Sequence, residues 1–210
     1  MADPAYIVDG VLTDGEAWVG ITTTTLGSDT ATVTFTSTDD GQVGDWSQYM
    51  DLVVISYARS TVAAVADGSL LTLNNDTGAN YAYQYMYGDG SSAVAASGTA
   101  NYFWINNAAG ASAAANIFGI GVFHMFDINS GKYKSATTTN AGDRDGSGAV
   151  LMYGYTWENQ AAVTEIDINN SANHLSGSMF SLFGILPSML RQGHFRNGCY
   201  RSNRHNVFGG

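Results

Sequence analysis

The stretch Tyr81-Ala-Tyr-Gln-Tyr-Met-Tyr87 places a tyrosine at every second position. Alternate side chains of a β-strand lie on one face, whereas the same spacing in an α-helix spreads the rings around the cylinder. The pattern therefore predicts a strand with an aromatic stripe. Asn-Asn-Asp-Thr-Gly at 74–78 and Gly-Asp-Gly-Ser-Ser at 88–92 are turn-forming sequences, and they predict the loops at its two ends.

Strands are predicted on both sides of this stretch by the same criteria. Residues 31–36 alternate threonine with small or apolar residues, and residues 51–59 form a β-branched run typical of a central strand. Further strands are expected at 69–73, 117–128, 132–139, 149–157, 162–168 and 179–185. About nine or ten short strands separated by turns predict an all-β fold, an antiparallel β-sandwich or barrel.

Three other segments lie between or after these strands. Asn169-Asn170 is expected to turn the chain after the strand at 162–168, and Pro187 is expected to end the last strand. Residues 93–115 are rich in small side chains. They could form a loop, a strand or a short helix, and the sequence leaves these alternatives open.

The composition of the 210 residues agrees with a β-rich domain. Hydrophobic residues make up 45% of the chain and aromatic residues 12%, but charged residues only 12%. Long solvent-exposed helices and coiled coils need charged outer faces, so the low charge argues against both. The one cysteine, Cys199, excludes an intrachain disulfide, and a chain of this length buries enough surface to be stable without one.

The charges divide the chain into two parts. All 18 acidic residues lie at or before Asp167, whereas residues 187–210 contain four arginines and no acid. We therefore expect a β-sandwich domain at 1–186 and a basic C-terminal arm at 187–210 that docks on its own acidic body or on a neighbour. The arm residues expected to bind a partner are Arg191, Arg196, Arg201 and Arg204. An acidic body is not expected to bind nucleic acid directly.

The sequence contains no recognisable export or membrane signal. Residues 1–4 lack the basic and apolar regions of a signal peptide, and the longest nearly apolar stretch, 179–190, is too short to cross a bilayer. We expect a protein that is made in a cytoplasm and does not enter a membrane by its own sequence.

No arrangement of residues predicts an enzyme. There is no Gly-x-Ser-x-Gly nucleophile motif, and His124 lies in an apolar segment that favours a packed core histidine. Only three glutamates are present and most aspartates lie in turn sequences, which argues against a pair of catalytic carboxylates. Cys199 is a single cysteine in a tail and is not expected to act as a nucleophile. We therefore predict no catalytic residue.

Metal, nucleotide and sugar sites are the alternatives to a catalytic site. Asp143, Asp145 and Ser147-Gly148 match the first positions of a calcium-binding loop, but its twelfth position is Gly154 instead of a glutamate. No glycine-rich phosphate-binding motif follows a strand, so no metal and no other cofactor is predicted. The turns that could offer a loose Ca²⁺ site contain Asp76, Asp89 and Asp143. Aromatic rings that could stack on sugars occur at 81–87, Trp104 and Trp157, although filling a core or a subunit interface is their commoner role.

Four segments together resemble one protein family. They are residues 71–81, 88–92, 143–148 and the closing run 157–185. The closing run ends in Gly-Ser-Met-Phe-Ser-Leu-Phe-Gly-Ile at 177–185. It is similar to the last strand of a group of tailed-bacteriophage virion proteins, which ends roughly in Gly-Ser-x-Phe-Ser-Leu-Tyr-Gly-Ile. Phe183 stands where the tyrosine is usual, and the resemblance spans about residues 50–186.

This resemblance implies both a fold and a role. The fold would be a jelly-roll β-sandwich without catalytic residues. The role would be that of a capsid decoration (cement) protein in the virion, bound to the major capsid protein or to other virion proteins. Self-association into a homotrimer is expected because virion accessories usually form closed symmetric oligomers. A tail, tail-fibre or adaptor component and a carbohydrate-binding module are the alternatives.

Overall fold

The structure is a computed structural model that describes residues 7–8, 11–12, 18–144 and 146–186. The C-terminal arm, with its four arginines and Cys199, lies outside these residues, as do Asp145 and Pro187. The strands are β1 (Ile7–Val8), β2 (Val11–Leu12), β3 (Trp18–Thr25), β4 (Thr30–Thr36), β5 (Asp51–Ala58), β6 (Ala66–Leu73), β7 (Tyr81–Gly88), β8 (Ala93–Ala100), β9 (Phe103–Ala109), β10 (Gly119–Phe126), β11 (Lys134–Asp143), β12 (Gly148–Trp157), β13 (Glu165–His174) and β14 (Met179–Ile185). One turn of 3₁₀ helix covers Trp46–Gln48. Within the described ranges, no helix is long and apolar enough to cross a membrane.

Two antiparallel sheets pack face to face as a sandwich. The large sheet has eight strands in the order β3-β14-β5-β10-β11-β12-β7-β8, and the small sheet has four in the order β4-β13-β6-β9. β1 and β2 pair separately. The predicted antiparallel β-sandwich is therefore confirmed. The jelly-roll topology is not confirmed, because a jelly roll distributes eight strands over two Greek keys and these sheets hold eight and four strands.

The core lies between the two sheets and is built from alternate residues of each strand. Ile166 and Ile168 of β13 are fully buried, whereas Glu165 and Asp167, which alternate with them, point away from the core. The largest fully buried side chains are Trp46, Trp157, Tyr81, Phe103, Phe123, Lys134, Phe180, Leu52, Leu71, Leu73, Ile105 and Met125. Because each buried apolar side chain contributes about 1.5–3 kcal/mol, this core accounts for most of the force that holds the sheets together.

β9 closes one side of the sandwich by lying directly against β10. A Cβ atom added at Gly119 or Gly121 would overlap backbone carbonyl oxygens of β9, so glycine is what allows the two backbones to approach this closely. Asn106 of β9 is fully buried, and its Nδ2 donates to Ser56 Oγ (2.8 Å) and to the carbonyl oxygen of Gly119 (3.2 Å). These contacts fix the edge of the small sheet on the large one.

The segment 93–115, which the sequence left open, contains two strands. β8 pairs with β7 along all of its eight residues, and β9 pairs with β6 in the small sheet. β3, for which no strand was predicted, is a threonine-rich strand at the edge of the large sheet, next to β14.

Two sequence predictions were wrong. Asn169-Asn170 do not turn the chain, because β13 continues to His174 and absorbs the polar residues in a register shift against β4. His124 is not packed in the core, because Phe123 and Met125 on either side of it point inward. The His124 side chain therefore lies on the outer face of β10, where it is 25% exposed.

Candidate functional site

The two outer faces of the sandwich differ in polarity. On the small sheet, Glu165 and Asp167 lie beside threonines of β4, as expected for a solvent-exposed sheet face. On the large sheet, the outward positions of β5, β10, β12 and β7 carry mainly apolar side chains. We call this surface the apolar face; its large exposed members are Tyr57, Met86, Ile120, Val122, Phe126, Val150 and Met152.

Strand pairing makes the apolar face continuous. Val122 pairs with Thr139 of β11, Thr139 pairs with Met152, and Met152 pairs with Met86 of β7. Directly paired side chains on one face lie about 5 Å apart, so these residues form an unbroken row across four strands. The neighbouring row consists of Tyr57, Ile120, Ala141 and Val150.

The apolar face has two ridges and a groove. β11 contributes short side chains to it, at positions Ser135, Thr137, Thr139 and Ala141. The longer side chains of β10 stand on one side of β11, and those of β12 and β7 stand on the other. An open depression of about 700 Å³ lies beside this groove, over Gly154, and is bordered by Gln84 and Thr156.

A histidine–aspartate pair forms a polar border at one end of the apolar face. His124 Nε2 lies 3.1 Å from Asp51 Oδ2, and the imidazole stacks on Phe126 with ring centroids 3.9 Å apart. The Oδ1 atom of Asp51 accepts a hydrogen bond from the backbone N–H of Asp127 (2.9 Å). Both oxygens of Asp51 thus have partners, and the pair ties the end of β10 to the start of β5.

The predicted tyrosine stripe of β7 is confirmed and extends past the small sheet. Tyr81 is fully buried, with its ring centroid 4.8 Å from that of Phe103 in β9. Tyr83, Tyr85 and Tyr87 follow with ring centroids 6.0 Å and 6.2 Å apart, and they are only half-buried. β8, the next strand, has no buried residue. The far end of the large sheet therefore projects beyond the two-layered core.

β12 adds two rings to this stripe, and we call Tyr83, Tyr85, Tyr87, Tyr153 and Tyr155 the tyrosine cluster. Tyr153 stacks on Tyr85 at 5.1 Å and on Tyr155 at 5.2 Å. Burial raises the pKa of Tyr153 to about 12, so its hydroxyl is protonated at neutral pH. The Tyr155 hydroxyl donates to the carbonyl oxygen of Trp104 (3.1 Å) and accepts from its backbone N–H (2.9 Å). The cluster is a rigid aromatic platform that can stack on a flat ligand or on another subunit.

The turn aspartates Asp76 and Asp89 are held by hydrogen bonds from backbone and side-chain groups. The carboxylate of Asp76 accepts hydrogen bonds from Asn80 Nδ2 (3.0 Å) and Trp157 Nε1 (2.8 Å). Burial opposes ionisation, but these hydrogen bonds hold the pKa of Asp76 below its usual value. Asp89 and Asp143 border one open cavity of about 470 Å³. Among the described residues, which omit one aspartate of the 143–148 turn, no three histidine, cysteine or acidic side chains are grouped to hold a metal ion.

Most cations of the described domain are buried, which leaves its surface acidic. Arg59, Lys134 and Arg144 are at most 6% exposed. The Lys134 ammonium donates to three backbone carbonyl oxygens, and burial lowers its pKa. Lys132 is exposed and lies 3.2 Å from the carboxylate of Asp127. Such a surface repels other acidic molecules and attracts basic ones.

The predicted partner-binding arginines cannot be placed on this surface. Arg191, Arg196, Arg201 and Arg204 lie outside the described residues, so their role stays a prediction. Comparisons with known proteins find no matching family model, no matching curated protein and no matching solved structure.

Sequence reasoning did not find the apolar face, although the sequence holds a signal for it. β10 reads Gly-Ile-Gly-Val-Phe-His-Met-Phe, with apolar or small residues in both of its alternating sets. A strand with one solvent-exposed face alternates apolar and polar residues. In an antiparallel sheet, a strand that is apolar on both sides indicates a second surface to be covered.

Proposed function

We propose that this chain is a non-enzymatic structural protein of a tailed-bacteriophage virion that acts as a capsid decoration (cement) protein. The observation that carries the proposal is the apolar face, where Ile120, Val122 and Met152 are 44–55% exposed. Wide apolar patches on a soluble protein mark surfaces that bind other proteins. A decoration protein works by repeated contact with a shell and with copies of itself, which is what such a face provides. The virion assignment is supported by the resemblance of the closing strand, β14, to phage virion proteins.

The proposal assigns two kinds of contact to the chain. Copies associate into a closed oligomer, for which threefold symmetry is the expectation in a virion. The arm at 187–210 binds the major capsid protein or another virion protein, with its arginines paired to carboxylates in bidentate geometry. The acidic surface of the described domain supports this assignment of two separate contacts, because the arm is then the basic part of the chain that can bind an acidic partner.

Copy number in the purified virion tests this function. Quantitative mass spectrometry against the major capsid protein should give about one copy, or about one-third of a copy, per capsid protein, because a decoration protein follows the symmetry of the shell. A count near a dozen per particle would contradict shell decoration. It would favour the tail, fibre or adaptor alternative, in which the arm attaches the sandwich to the tail.

The tyrosine cluster supports a second candidate function, carbohydrate binding. Half-buried tyrosine rings such as those of Tyr85 and Tyr153, whose centroids lie 5.1 Å apart, can stack on sugar rings. Titration with bacterial polysaccharides would detect this activity, and Tyr85→Ala should weaken it. Absence of binding at millimolar ligand would remove this candidate and leave the cluster as a protein contact.

A further inference from the structure

The outer face of the large sheet is large enough to bind a folded partner. The five strands of the apolar face (β5, β10, β11, β12 and β7) lie about 4.8 Å apart and are eight to ten residues long, so they span a plane of roughly 700 Å². A stable protein–protein interface buries about 800 Å² on each partner. The face therefore has the area of one complete interface between domains, and a short peptide would cover only part of it.

The charge of this face favours a second copy of the same chain. No aspartate, glutamate, lysine or arginine occupies the outward positions of β7, β10 or β12. On β5 and β11, the outward acids are the terminal residues Asp51 and Asp143. Because the chain has a net charge of −10, two copies repel each other through most of their surface. The middle of the apolar face carries no charge, so two copies can meet there without like-charge repulsion, and a basic partner would find carboxylates only at the ends of β5 and β11.

The ridges and the groove of the apolar face are complementary in shape to the apolar face of another copy. Ile120 and Val122 form a ridge on β10, Met152 and Met86 form a ridge across β12 and β7, and β11 between them carries short side chains. A ridge of one copy can enter the groove of a neighbouring copy, as side chains interdigitate between packed sheets. In the threefold oligomer proposed above, each apolar face would contact its two neighbours through different parts of its surface. We infer that the apolar face is the surface through which copies of this chain bind one another. The partner of the apolar face is thus a second copy of the chain, and the role of this contact in a virion rests on the proposed function.

Charge substitutions in the middle of the face test the inference. Val122→Glu and Met152→Glu each place a carboxylate in the contact on every copy. There the carboxylate loses its water and is repelled by the carboxylates of the contacting copies. We expect the full-length protein to be oligomeric in analytical ultracentrifugation, and each variant to raise the dissociation constant at least about 100-fold. Both side chains are at least 44% exposed, so the core is unchanged. Val122→Thr, which adds no charge, should keep most of the affinity.

Thr32→Glu is the matched control, because Thr32 is exposed on β4 of the small sheet. It adds the same charge on the opposite side of the sandwich and should leave the oligomer intact. The inference is overturned by a wild-type chain that stays monomeric, by an oligomer that survives both glutamate substitutions, or by equal dissociation in the Thr32→Glu control.

Methionine oxidation provides a second measurement that needs no variant. Met86 and Met152 are 60% and 54% exposed on the apolar face, and Met50 is 44% exposed outside it. Concentrating the wild-type protein should slow peroxide oxidation of Met86 and Met152 relative to Met50. Equal rates at all concentrations would contradict the inference. Both measurements use the purified chain, so they can fail while the virion copy number stands, and the reverse also holds.

Discussion

His174 gives the protein a pH-dependent stability through one side chain. It is fully buried, its ring packs against Phe180 at 4.9 Å, and its Nδ1 accepts from Asn170 Nδ2 (3.1 Å). Burial lowers its pKa from about 6.5 to about 4. As the pH falls through this window, the unfolded chain binds the proton first, so the free energy of unfolding should fall by about 3 kcal/mol between pH 6.5 and pH 4.

His174→Gln isolates this effect, because glutamine is neutral at every pH in the window. Urea unfolding at several pH values should show a much flatter profile between pH 6.5 and pH 4 in the variant than in the wild type. Hydrogen bonds in their own loops hold the pKa of Asp40 and Asp89 below the usual value, so their contribution is lost at lower pH and is common to both proteins. Parallel profiles for the two proteins would show that His174 is not the titrating group.

The contact between β9 and β10 decides whether the two sheets close, and it depends on glycine. A Cβ atom at Gly121 would overlap the carbonyl oxygen of Ile105. Gly121→Ala should therefore cost about 3 kcal/mol of unfolding free energy, as expected when a close-packed site is overfilled. Gly154 on β12 is the matched control, since nothing lies within 4 Å of an added Cβ atom. Gly154→Ala should change stability by less than about 0.5 kcal/mol, and equal costs in the two variants would contradict this account.

The strands that the sequence predicted are those whose side chains alternate clearly or form β-branched runs. The tyrosines of β7 and the Leu-Val-Val-Ile run of β5 carry a local signal because they pack against a core. β8 is built from Ala, Ser, Gly and Thr with one valine, and none of its residues is buried. Its strand conformation comes from pairing with β7 across the turn at 89–92, and the side chains of β8 alone do not show this pairing. The apolar face escaped prediction for a related reason, since either side of β10 could have faced the core.

The two parts of the molecule carry opposite net charges. The sequence predicted this difference but did not predict that most cations of the acidic body are buried. The count of acids and bases indicated an acidic body and a basic arm. Burial makes the contrast stronger, because Arg59, Lys134 and Arg144 are inside the sandwich and contribute little to the surface field. The backbone groups that accept from Arg59 lie far away in the sequence, since its guanidinium donates to the carbonyl oxygens of Ala114 and Ile117. Such contacts are visible only in the folded chain.

This division predicts how the whole molecule should bind a capsid. A chain that ends after residue 186 keeps every strand that the structure describes, and we expect it to unfold like the full-length protein but to lose binding to purified capsids. Binding of the full-length chain should weaken as salt rises, because screening acts on exposed arginine–carboxylate pairs. Replacing Arg191, Arg196, Arg201 and Arg204 by glutamine removes the charge of the arm but keeps its length. It therefore distinguishes the contribution of the charge from that of the length. Full capsid binding by the truncated chain, or binding that is unchanged by both salt and the four substitutions, would assign capsid attachment to the sandwich itself.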